Sequence, residues 1–154
     1  MNNKGVTLME LVVVFVLIGI MAAFILPSIG TSWLPRYRLR SATRDIVSTM
    51  RTAQIRAVAS GVPYQVAFNV ATNSYVLQYT TGGNTLNAGP VQTLPSGIIL
   101  SIPGLPTGTA QFNPDSTCPT GATDIISLSY LKKGVTWEQK WISVYAATGK
   151  ITIQ

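Results

Sequence analysis

Along the chain, the spacing of apolar residues changes twice. Residues 11–35 carry no charge and are dominated by Val, Leu, Ile, Phe and Ala. That run exceeds the roughly 20 apolar residues that cross a bilayer as a helix. Over 35–60 the pattern becomes amphipathic. Leu39, Ala42, Ile46, Met50, Ala53 and Ala57 recur at steps of three and four, which puts them on one helix face suited to pack on a sheet. Gly61 and Pro63 stop this helix. One unbroken helix over 6–60 would be roughly 80 Å long at 1.5 Å per residue.

Beyond Pro63 the period shortens to two. Residues 64–68 and 74–79 alternate, and Thr72-Asn73 between them marks a hairpin. Gly82-Gly83-Asn84, Pro95-Ser96-Gly97 and Pro103-Gly104 read as turns or loops. Further strands are expected at 98–102, 110–112, 125–130, 141–145 and 151–153, with Thr148-Gly149 as the last turn. Many short strands after one long helix predict an α+β fold: a long amino-terminal α-helix, half of it transmembrane, packed on an antiparallel β-sheet domain. The segment 113–123, with Pro114, Cys118, Pro119 and Gly121, reads as an exposed loop.

Composition narrows the chemistry. At 154 residues the chain suits one globular domain plus an accessory segment, and 47% hydrophobic against 10% charged residues leans toward a membrane-linked or secreted protein. There is no histidine, which removes the commonest general base and zinc ligand. The five carboxylates, Glu10, Asp45, Asp115, Asp124 and Glu138, are scattered without metal-loop spacing, so Asp115 or Asp124 is weak support for a calcium site. Cys118 is the single cysteine and reads as inert. No catalytic residue, metal or cofactor is expected, and no enzyme.

The net charge of +6 comes largely from the amphipathic segment. Arg36, Arg38, Arg40, Arg44, Arg51 and Arg56 lie there with only Asp45 among them. At 100° per residue, Arg36, Arg40, Arg44 and Arg51 share one arc of roughly 80°, clear of the apolar face, while Arg38 and Arg56 lie on another side. The arc is a candidate basic contact surface for anionic lipid or for neighbouring subunits, or a solvated polar face. A nucleic-acid groove is disfavoured, because Tyr37 is the single aromatic residue that interleaves with the arginines. Trp137 and Trp141, flanking Glu138 and Lys140 beside Lys132-Lys133-Gly134, are a candidate partner-binding pair or a capped hairpin with one ring in the core.

The amino terminus carries the sharpest signal. Lys4 precedes the apolar run, so this end is expected to stay cytoplasmic and the remainder to face the periplasm or exterior. An ordinary secretory signal peptide, cut near Ala22-Ala23, is the alternative. Glu10 argues against it: a carboxylate deep in a membrane segment costs about 2.5 kcal/mol or more, so it needs a partner.

Lys4-Gly5 followed by Val6-Thr7-Leu8-Met9-Glu10-Leu11 closely resembles the class-A type IV prepilin signature. The resemblance implies a pilin fold, cleavage by a prepilin peptidase between Gly5 and Val6, and N-methylation of Val6. It implies that Glu10 pairs with the terminal amine of a neighbouring subunit and so sets register. Val6 stands where the family more usually has phenylalanine. Gly19 and Pro27 match positions between which pilin helices often lose regular structure in filaments, although membrane helices also tolerate both residues.

The stretches Tyr37-Arg38-Leu39-Arg40-Ser41-Ala42, Ile46-Val47-Ser48-Thr49-Met50 and Ala53-Gln54-Ile55-Arg56-Ala57, with Gly61, resemble the GspH/FimT group of minor pilins and pseudopilins. The expected organisation is a leader at 1–5, a transmembrane and assembly helix at 6–32, an amphipathic half at 33–62 and a β domain at 63–154. Implied partners are other pilins or pseudopilins, the prepilin peptidase, an inner-membrane assembly platform and membrane lipid, in a type IV pilus or a type II secretion pseudopilus. DNA is a further candidate partner, since some FimT-like proteins carry a carboxy-terminal Gly-Arg-x-Arg motif. The matching stretch here, Gly149-Lys150-Ile151-Thr152, retains one basic residue, and Lys150 offers a point charge rather than a phosphate fork.

Overall fold

In the computed structural model, residues 8–29, 33–120, 125–132 and 135–154 are described, with the side chains of 24–29, 33, 132, 135 and 137 left outside that description. The chain forms two units, Met1–Pro35 and Arg36–Gln154.

In the first unit, helix α1 runs Leu8–Ile29. The helix is continuous through Gly19 and Pro27, and the loss of regular structure expected between them concerns the assembled filament. Taken over the described residues, no helix is long and apolar enough to cross a membrane. The described side chains of α1 end at Ala23, although its backbone continues to Ile29.

The second helix, α2, runs Trp33–Ser60. The single helix expected over 6–60 is therefore described as two, with 30–32 outside the description. The apolar spacing of α2 has the expected consequence: Leu39, Ala42, Ile46, Met50, Ala53 and Ala57 are all buried. Val47 and Thr43 widen this face, and the Thr43 hydroxyl donates to the Leu39 carbonyl at 2.8 Å, which satisfies it inside the core. The Gly61 N–H closes on the Ala57 carbonyl at 3.0 Å, ending the helix where the sequence places the stop.

The strands are β1 (Tyr64–Asn69), β2 (Ser74–Thr81), β3 (Asn84–Asn87), β4 (Gln92–Thr93), β5 (Ile98–Ser101), β6 (Thr109–Phe112), β7 (Ile126–Lys132), β8 (Val135–Val144) and β9 (Ile151–Ile153). They build two antiparallel sheets where the sequence suggested one. The first has the order β3-β2-β1-β6, with β4 also on β2; the second has the order β5-β7-β8-β9. The first sheet ends at β6 because its outer edge is already satisfied. The Thr120 hydroxyl accepts from the Gln111 N–H at 2.9 Å, and the Asn113 N–H goes to the Thr117 carbonyl. A loop, not a further strand, covers that edge.

In the first sheet, Val66 pairs with Leu77 and Ala110, and Phe68 with Tyr75, all buried and sharing one face. In the second, Leu100 pairs with Leu128, while Ile142 pairs with Ile126 and Ile153. Both inner faces join the apolar face of α2 in one hydrophobic core. Burial of this kind contributes about 25 cal/mol per Å² of apolar surface.

Candidate assembly surface

Glu10 lies in the first turn of α1, where a carboxylate is favoured by the helix dipole. It is exposed, on a helix whose large apolar side chains from Leu8 to Met21 are 47–82% exposed. A helix of a globular protein hides one apolar stripe; among the described residues of its own unit, this helix is apolar all round over 11–23 and is covered on no side. Such a surface needs lipid or other apolar helices against it. Gly5 and Val6, the residues of the expected cut, lie outside the described residues, as does Lys4. A Cβ added at Gly19 would meet no atom within 4 Å, so no packing contact of the chain itself requires glycine there.

The arginines of α2 are all exposed, as the helical arc predicts. The structure divides them. Arg36 Nε stands 3.3 Å from Glu138 Oε2 on β8, an ion pair that is not aligned as a hydrogen bond. A half-exposed pair of this kind contributes about 0–1 kcal/mol. Arg40 and Arg44, with Thr43, face Lys140 of β8 and Ile153 of β9 across a recess of about 280 Å³. Arg51 does not line that recess. Arg56, on the other side of the helix, reaches the Ala88 carbonyl through Nη1 at 3.4 Å. The four-residue arc is thus one ion pair, one cationic recess and one separate cation.

Glu138 and Lys140 are the members of this surface that the helix pattern alone does not reveal. Their signal lies in β8, where alternation from the buried Ile142 and Val144 puts Lys140 and Glu138 on the same face of the strand. That face is turned toward α2. Trp141 falls on the opposite face and is half-buried, its backbone exchanging two hydrogen bonds with Gln154. The side chain of Trp137 and residues 133–134 lie outside the described residues.

The segment read as an exposed loop is more anchored than the sequence suggests. Cys118 is fully buried, and its N–H donates to the Ala146 carbonyl at 2.8 Å. Burial pushes its thiol above the ordinary value, against weaker opposing hydrogen bonds from Thr120. Asp115 Oδ1 accepts from the Thr117 hydroxyl and the Thr117 N–H, which hold its carboxyl below the usual range. Among the described residues no three acidic, Cys or His side chains gather as a metal site, and Asp124 lies outside them.

Gly149 has φ +59°, and a Cβ there would stand 2.4 Å from the Ser116 carbonyl oxygen. The glycine of the Gly149-Lys150 stretch is thus accounted for by a turn packed on the Cys118 loop. Lys150 is exposed, and its backbone closes that turn through the Thr148 hydroxyl and the Tyr145 N–H.

Residues 1–26 match the family model of the prokaryotic N-terminal methylation motif. No curated protein matches the chain. Among solved structures, it is similar to the minor pseudopilin EpsH from the type 2 secretion system of Vibrio cholerae, at 15% identity over 75% of this chain and 94% of that one, with a TM-score of 0.57. It is also similar to the type IV minor pilin FimU of Pseudomonas aeruginosa PAO1, at 13% identity over 80% of this chain and 92% of that one, with a TM-score of 0.59. The chain therefore joins a prokaryotic N-terminal methylation motif at residues 1–26 to the fold of minor pilins and pseudopilins.

Proposed function

We propose that this chain is a minor pilin or pseudopilin, a structural subunit of a type IV pilus or a type II secretion pseudopilus rather than an enzyme. The observation that carries the reading is the methylation motif leading into a helix that is apolar on every side and bears one acid, Glu10. A prepilin peptidase removes residues 1–5 and methylates Val6. The 6–32 segment anchors the subunit in the inner membrane as a single pass, with the amino terminus cytoplasmic and the β domain periplasmic. An assembly platform then moves it into a filament, where its helix exchanges lipid for the helices of other pilins.

Glu10 is the register element of this scheme. A buried carboxylate and a buried terminal ammonium are each costly alone and offset one another when paired. A subunit docked with the wrong stagger leaves both charges unmatched. Removing one partner of a buried pair costs about 3–5 kcal/mol. The Glu10→Val variant is therefore expected to be cleaved and inserted normally, while its recovery in sheared filaments falls by at least about tenfold. Recovery equal to the unaltered chain would overturn the register role.

A further inference from the structure

The recess between α2 and the second sheet has a charge that nothing within its own lining balances. Arg40 and Arg44 are one turn apart, and like charges at that spacing repel one another on a helix face. Lys140 adds a third cation from β8, and no carboxylate lines the recess. The nearest acid along the strand, Glu138, already faces Arg36 at 3.3 Å. The remaining lining is inert toward an anion: the Thr43 hydroxyl is engaged with the Leu39 carbonyl, and Ile153 is apolar. Two guanidinium forks and an ammonium around about 280 Å³ leave room for one acidic side chain and bridging water.

We propose that this recess is a socket for a carboxylate side chain of a neighbouring filament subunit, and that the neighbour is a different, acidic chain rather than a second copy of this one. The inference rests on the filament-subunit reading and adds the chemistry of the partner. Self-association is opposed by charge. The full chain carries +6, with 11 basic against 5 acidic residues, and removal of Lys4 with the leader still leaves 10 against 5, so juxtaposed like charges disfavour an interface between copies. Of the described acids in the second unit, Glu138 faces Arg36 and Asp115 is held by Thr117, while the exposed Asp45 stands beside Arg40 and Arg44 on their other side, so a second copy would bring those cations along with its carboxylate.

Nucleic acid fits the recess less well. It is a compact point rather than a track, Arg51 lies outside it, and no aromatic ring lines it for base stacking. A lipid surface fits less well too, because membrane-surface sites set their cations beside apolar or aromatic residues that enter the acyl region. Here Ile153 is the apolar residue in the lining.

The test uses the full chain in detergent micelles at low salt, with variants R40Q/R44Q, K140Q and, as a control outside the recess, R51Q. All four positions are solvent-exposed or half-exposed, and thermal unfolding confirms that the variants fold. The probes are a glutamate-serine peptide, single-stranded DNA, and phosphatidylcholine vesicles containing about one third phosphatidylglycerol.

The proposal expects the peptide affinity to fall at least about tenfold in R40Q/R44Q and several-fold in K140Q, with R51Q within about twofold. Equal losses in all variants would reduce the recess to diffuse charge and overturn it. Tighter binding of DNA or vesicles than of peptide, lost in the same two recess variants, would overturn it in favour of those partners. Concentration-dependent self-association lost in R40Q/R44Q would overturn it in favour of a second copy.

Filament recovery separates this proposal from the reading beneath it. If Glu10→Val is excluded from filaments while R40E/R44E enters normally, the socket fails and the subunit reading stands. If Glu10→Val also enters normally, the register role beneath the subunit reading fails.

Discussion

Asn73 shows how much a single side chain can carry beyond its local role. The sequence marks it as a turn residue, and it does occupy the left-handed region at φ 49°, between β1 and β2. Its amide also reaches the other sheet. Nδ2 donates to the Ile98 carbonyl at 2.8 Å, and Oδ1 accepts from the Leu100 N–H at 3.0 Å. One side chain thus acts as a strand partner for β5 and ties the two sheets together. Asn73→Ala loses both bonds in a half-buried place and leaves two backbone groups unmatched, so it is expected to destabilise the folded domain by about 2–3 kcal/mol in urea unfolding. Asn73→Gly relaxes the turn but loses the same clamp, and it too should unfold at lower urea than the unaltered chain.

Cys118 carries a prediction in pH. Burial raises its folded-state value above that of the unfolded chain, so the folded state holds the thiol proton more tightly. Its contribution to stability is fully present at neutral pH and is lost as pH rises through the alkaline range. Native chain at pH 7 is expected to resist iodoacetamide, and urea-unfolded chain to react. Rapid labelling of the folded protein would contradict the burial.

At the scale of elements, the helical face of α2 was legible because period and burial coincide: every one of the six spaced apolar residues is in the core. The strands with apolar alternation, β1, β2, β5, β6, β7 and β9, were legible for the same reason. The strand β3 was not. Asn84–Asn87 is exposed at every position and has no apolar alternation to read. It exists because Gly82 and Gly83, both at positive φ, form the two-residue turn that sets Thr81 opposite Asn84. The division into two sheets was hidden too, since it depends on the Thr120 hydroxyl covering the edge of β6.

The cationic recess draws on α2, β8 and β9 together. The arc of arginines was visible along the chain, but its partition among Glu138, Lys140 and solvent depended on which strand packs beside α2.

For α1, the open space around Gly19 gives a direct test of why glycine is there. Glycine costs about 1 kcal/mol relative to alanine inside a helix. Gly19→Ala is expected to slow amide hydrogen exchange around residue 19 in micelles without disturbing any contact of the chain itself. Unchanged exchange would show that glycine does not loosen this helix.

For the whole molecule, the two units answer to different surroundings. The second unit completes a buried core from its own helix and sheets. The first presents an apolar helix, with Glu10 in its first turn, that no described residue of its unit covers. That contrast follows if the first unit is made for a membrane and then for other helices, and the second for a watery compartment.

The central claim is that the terminus beside Glu10 is created by cleavage. Intact-mass and amino-terminal analysis of protein from the native host tests it most directly. The mature chain is expected to begin at Val6 with a methylated amine. A mature chain beginning at Met1, or after Ala23, would contradict it.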